Sequence, residues 1–163
     1  MKEPSRPAQP ETSLAPAPVP EALGGITVIR GSGNCRGWNG IEYKAGMHAA
    51  NVGARRLSMN VATIPPGGVA AAHVHVGFEL MLYVLAGRVR HEFGEGCRQA
   101  VENQAGDFIF IQPGVAHEVF NLSQTEPVVA VVARSDASEW QNIVPYDRAR
   151  ADADGGRESV DRG

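Results

Sequence analysis

Between residues 57 and 134 the chain alternates short apolar runs with turn-forming clusters. The runs are LSMNVATI (57–64), LMLYVLAG (80–87), RVRHEF (88–93), DFIFIQ (107–112), HEVFNL (117–122) and VVAVVAR (128–134). They are rich in β-branched, aromatic and aliphatic residues, which fit a pleated, half-buried surface. PPGG (65–68), GEG (94–96), NQAGD (103–107), PG (113–114) and SQTEP (123–127) bound them and favour tight turns. No segment holds a 3.6-residue period over twelve residues. The nearest approach to a helix is a short turn around SDASEW (135–140), where Ser135 or Asp136 could cap. Many short strands at regular spacing predict an all-β fold, a sandwich or closed barrel. Strands such as VVAVVA are apolar on both faces, as expected between two sheets or at a subunit contact.

The two ends differ from this middle. Residues 1–20 hold six of the eleven prolines, a composition that packs into neither helix nor strand. Residues 1–24 are therefore expected to form a disordered arm, 25–145 the folded domain, and the polar stretch 146–163 a disordered tail. At 163 residues and 43% hydrophobic, the chain is long enough for one domain with a real core. A net charge of −3, with no basic segment, argues against nucleic acid and membrane surfaces as partners. No run has the length of a transmembrane helix. The N-terminus lacks the apolar centre of a signal peptide, so a cytoplasmic location is expected. Cys35 and Cys97 are far apart and form no CxxC, which suits unpaired thiols in a reducing compartment.

The histidines change the picture. In HVHVGFELMLYVLAG (73–87), His73 and His75 stand two apart. On a strand such residues share a face, roughly 7 Å apart, so both imidazoles can aim at one point. Glu79 has the same parity and can reach in past a bend at Gly77. The pair alone is weak evidence for a metal, but two longer spacings strengthen it. Residues 67–87 read G-x5-HxH-x3-E-x7-G, and residues 106–121 read G-x7-G-x2-H-x3-N, with His117 following a PG turn.

These blocks resemble the two motifs of the cupin superfamily, G-x5-HxH-x3,4-E-x6-G and G-x5-PxG-x2-H-x3-N, over residues 55 to 134. Among cupins the chain looks most like the small single-domain proteins described as RmlC-like. The resemblance implies a single-domain jelly-roll β-barrel of two packed antiparallel sheets, often dimeric, so a homodimer is expected. It also implies a metal centre on His73, His75, Glu79 and His117. Two departures stand out. Gln112 replaces the proline of PxG, as a turn residue or a hydrogen-bond partner for substrate. The gap from Glu79 to Gly87 is seven residues rather than six. Either the strand absorbs one residue in a β-bulge and Glu79 remains a ligand, which is the expectation, or the site has three histidines only.

Such a nitrogen and oxygen donor set can hold Fe(II), Mn, Ni, Zn, Co or Cu. The resemblance to short cupins with a three-His/one-Glu site implies Fe(II)-dependent dioxygenation of a small-molecule substrate, which is the function expected. A lyase, decarboxylase or isomerase using the metal as Lewis acid and a non-catalytic ligand-binding cupin are the alternatives. Tyr83 and His91 are the candidate catalytic residues, since both could face the barrel interior and handle protons. Met81, Phe108 and Phe110 are read as core residues, Arg90 as an outward residue and His48 as a surface histidine.

Overall fold

In the computed structural model the described residues are 19–30, 34–37, 39–138 and 141–150. Most of the expected arm and tail, 1–18 and 151–163, lies outside them. Thirteen strands occur in the order β1 (Glu21–Leu23), β2 (Ile26–Val28), β3 (Asn34–Arg36), β4 (Glu42–Met47), β5 (Ser58–Ile64), β6 (Val69–His75), β7 (Leu80–Ala86), β8 (Arg88–Phe93), β9 (Gln99–Gln104), β10 (Phe108–Ile111), β11 (His117–Asn121), β12 (Val128–Arg134) and β13 (Ile143–Pro145). β1 and β2 form a separate hairpin. The others make a six-stranded sheet, β10-β7-β12-β5-β4-β3, and a five-stranded sheet, β13-β6-β11-β8-β9. Every pairing is antiparallel. The all-β double-sheet barrel is thus as expected. No helix among the described residues is long and apolar enough to cross a membrane.

The core lies between the two sheets. Ile41, Tyr43, Ile64 and Val128 from one side meet Ala70, Val89 and Val119 from the other. Strict alternation on β12 sends Val128, Ala130, Val132 and Arg134 inward. Fully burying an aliphatic side chain of this kind is worth about 1.5–3 kcal/mol, so the interdigitated rows fix which face of each strand is inside.

The folded part extends beyond the expected limits at both ends. β1 begins inside the stretch expected to be a disordered arm. At the other end, Tyr146 and Arg148 are pinned to the five-stranded sheet. The Tyr146 hydroxyl accepts a hydrogen bond from the Gly96 amide at 2.9 Å. Arg148 pairs with Glu92 at 2.9 Å and with Glu118, and donates to the Cys97 carbonyl at 3.3 Å. A polar composition hid these anchors, because the partners are themselves polar groups from distant strands.

Two motif residues prove to be structural. Gly87 joins β7 to β8 at φ +89°, and a Cβ there would stand 2.8 Å from the Pro127 carbonyl oxygen. Only glycine fits both the conformation and the space. Asn121 closes the second block. Its amide nitrogen donates to the carbonyls of Ile64 at 3.2 Å, Pro65 at 3.0 Å and Glu126 at 2.8 Å. Its oxygen accepts from the Ser123 amide at 2.9 Å. One buried side chain thereby satisfies backbone groups from both loops that flank this end of the barrel. His48 caps a four-residue helix, α1 (Ala49–Val52): its ring accepts from the Ala50 amide while Asn51 accepts from the His48 amide. The SDASEW stretch makes no helix over its described residues, 135–138; Asp136 instead accepts from the Ser138 amide at 2.9 Å in a tight turn.

Candidate metal centre

The site begins with two irregularities in the strands. The pairing of β6 with β11 shifts register between His73 and Ala70, three residues on β6 opposing two on β11. This bulge lets Ala70 and then both His73 and His75 face inward. β11 carries His117 directly opposite His73. The three rings pack with centroids 4.2 Å (His73–His117), 4.7 Å (His75–His117) and 5.1 Å (His73–His75) apart. One ring nitrogen from each lies within 4.8 Å of the others, and all three residues are buried. Phe78 stacks on His75 at 5.0 Å between centroids, so an apolar ring backs the cluster.

Contacts behind the cluster orient two of the rings. Nδ1 of His73 donates to the Ala71 carbonyl at 2.7 Å, and Nδ1 of His117 donates to the Val115 carbonyl at 3.0 Å. A carbonyl only accepts, so both rings carry the proton on Nδ1 and keep the Nε2 lone pair for a ligand. Nδ1 of His75 is buried with no hydrogen-bond partner among the described residues. Its ring is left to an ion or a water. Burial, then the neighbouring His117, push the His73 pKa down to about 3 and that of His75 to about 2. Burial also lowers His117. All three are neutral imidazoles near neutral pH, the form that binds a metal ion. The donor set therefore fits a divalent transition metal of intermediate softness.

Glu79 is placed otherwise than expected. The bulge in the Glu79–Gly87 gap is present: Val129 opposes Ala86 while Ala130 opposes Val84, so Leu85 is the extra residue. It lies after Tyr83, and Met81 and Tyr83 do share the parity of Glu79. That shared parity points outward. Phe78, Leu80 and Val84 are buried, whereas Glu79 is exposed and its backbone is tied to Ser135 at 2.9 and 3.0 Å. Turning the strand over to admit one carboxylate would expose several large apolar side chains, so the apolar row takes the inner side. The cluster is three histidines.

Tyr83 is likewise on the outer face, against Phe108 at 4.6 Å between ring centroids. Met81, Phe108 and Phe110, read as core residues, are exposed there too, Phe108 by 84%. Arg90 is outward as expected. His91 does face in. It is buried, lines the cavity that holds the three histidines, and its pKa falls to about 4 through burial and then the nearby His117. A second cavity of about 280 Å³ adjoins the first at His91 and His117, with Phe93, Phe110, Gln112 and Val115 among its walls. Gln112 thus stands at the approach to the cluster. The sequence reading missed Arg134. This buried residue lines the inner cavity, its guanidinium carbon 5.9 Å from the Tyr43 ring centroid. The only hint in the sequence is that it continues the alternate row Val128, Ala130, Val132.

A family model described as a cupin domain matches residues 60–134. No curated protein matches the chain in sequence. Among solved structures, the chain is similar to an uncharacterized conserved protein with a double-stranded β-helix domain from Klebsiella pneumoniae, with 22% identity, 58% of this chain and 77% of that chain covered, and a TM-score of 0.50. It is also similar to a single-residue mutant of Bacillus subtilis oxalate decarboxylase, at 20% identity over 72% of this chain and 29% of that chain, TM-score 0.55. A formate complex of Lactobacillus farciminis oxalate decarboxylase matches at 15% identity over 90% of this chain and 39% of that chain, TM-score 0.57. The chain therefore spans well under half the length of those two decarboxylases. The matched segment runs from β5 to the end of β12 and carries both histidine blocks, so residues 60–134 are similar to a cupin domain.

Proposed function

We propose that this protein is a mononuclear metal-dependent cupin enzyme whose His73, His75 and His117 hold one divalent ion, Fe(II) in preference, for dioxygenation of a small organic molecule. The observation that carries this reading is the convergence of three buried, neutral imidazoles on one point of the barrel interior. When bound, such an ion supplies Lewis acidity and, as iron, oxygen activation. With Glu79 outside, a six-coordinate ion would keep three positions for substrate and a co-substrate. The chain's own residues do the rest. Ala71 and Val115 hold the rings of His73 and His117 in one tautomer. Leu80, Leu82 and Val84 wall the cavity and exclude water. His91, neutral at physiological pH and open to both cavities, can accept a proton from a group entering past Gln112.

A second reading, non-oxidative lyase or decarboxylase chemistry at Mn, Ni or Zn, is supported by the structural likeness to oxalate decarboxylases. Elemental analysis of protein purified without added metal, followed by oxygen-uptake assays on catechols, β-diketones, thiols and hydroxy acids, separates the two. Iron and oxygen consumption are expected. Carbon dioxide release from an organic acid without oxygen uptake supports the second reading. Metal without any turnover supports a binding protein. No metal, and none taken up on addition, ends the metalloenzyme reading.

The same proposal includes a homodimer. Phe110, Met81, Ala133 and Met59 are cross-strand partners in one row on the outer face of the six-stranded sheet, and Phe108, Tyr83, Val131 and Val61 form the next row. Met59, Met81, Phe108 and Phe110 are exposed, and large contiguous apolar patches mark interaction sites. Sedimentation should give twice the chain mass, and Phe108→Asp with Met81→Asp should give a folded single chain. A wild-type mass of one chain at micromolar concentration would overturn the dimer.

A further inference from the structure

Two adjoining spaces lie before the three histidines, and they differ in size. The inner one, about 70 Å³, has His73, His75 and His117 on its wall. The outer one, about 280 Å³, meets it at His91, Ile111 and His117. An ion on the cluster would take part of the smaller space. That leaves room there for the reacting end of a molecule and little more. The body of a larger substrate must lie in the outer space.

The strand pairing makes the outer wall apolar. Phe93 on β8 stands directly opposite His117 on β11, and Val101 on β9 stands opposite His91 on β8. Residues opposite each other in an antiparallel pair share a face, so each histidine of the shared wall has an apolar neighbour beside it. Ile109 and Val115 extend this wall, and Gln112 adds one amide. Exposure rises along it, from His117 at 3% to Val101 at 46%. The cavity is therefore a passage from solvent to the cluster. Its lining holds no Asp, Glu, Lys or Arg among the described residues. A charged group entering it would leave water without an ionic partner, a costly exchange. An apolar group gains by the same transfer. Apolar walls with a few polar groups are the usual build of a small-molecule pocket.

Resting on the metal reading above, we propose that the outer cavity is a specificity pocket for an uncharged apolar group about the size of a phenyl ring, with Phe93 and Val101 as its selecting residues. The substrate then has two parts. A compact chelating end reaches the ion on His73, His75 and His117. An aryl or branched alkyl body lies among Phe93, Val101, Ile109 and Val115, where the Phe93 ring can meet an aromatic body edge-on or offset. Small dicarboxylic acids, which bring a second charge into this passage, are disfavoured.

Calorimetric titration of the Co(II)-loaded protein tests this with three hydroxamates that share one chelating head. Acetohydroxamate carries a methyl group, benzohydroxamate a phenyl ring, and the monohydroxamate of glutaric acid a chain ending in a carboxylate. Benzohydroxamate should bind about 10- to 100-fold more tightly than acetohydroxamate, the gain expected from burying the ring. The glutaric derivative should gain nothing over acetohydroxamate. Val101→Trp, which fills the passage from a half-exposed position, should bring the phenyl-to-methyl affinity ratio down to near one. A merely structural effect would weaken both probes alike and leave that ratio unmoved. Equal wild-type affinities for the methyl and phenyl probes, a ratio that survives Val101→Trp, or a carboxylate chain that binds as tightly as the ring overturns the proposal. The wild-type comparison stands whether or not the variant folds. If the wild type takes up no cobalt, the metal reading fails by itself. The pocket is then judged on the metal-free protein by saturation-transfer NMR with toluene: transfer from the wild type that Val101→Trp abolishes upholds it, and no transfer overturns it.

Discussion

A His73→Ala/His75→Ala double variant loses its metal, whereas Glu79→Gln keeps a full equivalent. Each histidine supplies one of three converging nitrogens, and a site reduced to His117 alone has no chelate to hold an ion against water. Even disturbing a group that only orients a ligand costs 10–100-fold in affinity, so removing two ligands should cost at least about a thousandfold. Glu79 is exposed, and its neutral isostere leaves the interior untouched. Elemental analysis after dialysis at neutral pH reads both outcomes in one experiment. Full metal in the double variant would refute the ligand assignment. Metal lost from Glu79→Gln would show that the carboxylate turns inward when an ion is present, and the site would then have four ligands.

Acid should destabilise the metal-free protein well before its carboxylates titrate. His73 and His75 have folded pKa values of about 3 and about 2 against an ordinary 6.5. Above pH 6.5 they are neutral whether the chain is folded or not, and the full stability is present. Below it the unfolded chain binds protons that the folded barrel refuses, so stability falls as pH drops from 6.5 toward the folded values. The slope is about 1.4 kcal/mol per pH unit for each histidine, or about 2 kcal/mol each at pH 5. His91 and His117, shifted the same way by burial, steepen it. Urea midpoints at pH 7, 6 and 5 measure the effect, and the double alanine variant should show a shallower decline. A wild-type midpoint that stays flat from pH 7 to pH 5 would mean that these rings are not buried neutral. Bound metal should raise the midpoint at pH 7 and be released over the same acid range, since protons and the ion compete for the same lone pairs.

What the sequence made legible follows from where periodic signals exist. The strand runs, their turns and the two histidine blocks give the barrel and the three nitrogen donors, because glycine, proline and histidine spacings survive without knowledge of the partner strands. Facing is a different matter. LMLYVL is apolar at every position, so its hydropathy does not distinguish a row that points in from one that points out. The bulge demanded by the seven-residue gap is there, but its place at Leu85 is fixed by the pairing with Val129 and Ala130 on β12. With it go the outward positions of Glu79, Met81 and Tyr83. Arg134 was hidden for the same reason, since both rows of VVAVVA are apolar and either could have been inside. His91 was readable because RVRHEF alternates cleanly.

β13 gives the site a dependence on the order of synthesis. Ile143 and Pro145 lie beside His75 and His73, so the strand that presents two donors has its outer edge covered by a segment made some seventy residues later. Until Ile143–Pro145 emerges from the ribosome, β6 is an open edge with unpaired backbone groups, the kind of edge that recruits strands from other chains. The nascent barrel therefore passes through a stage in which the edge of its histidine strand is open to neighbours. Conditions that prolong that stage should favour aggregation over the native fold.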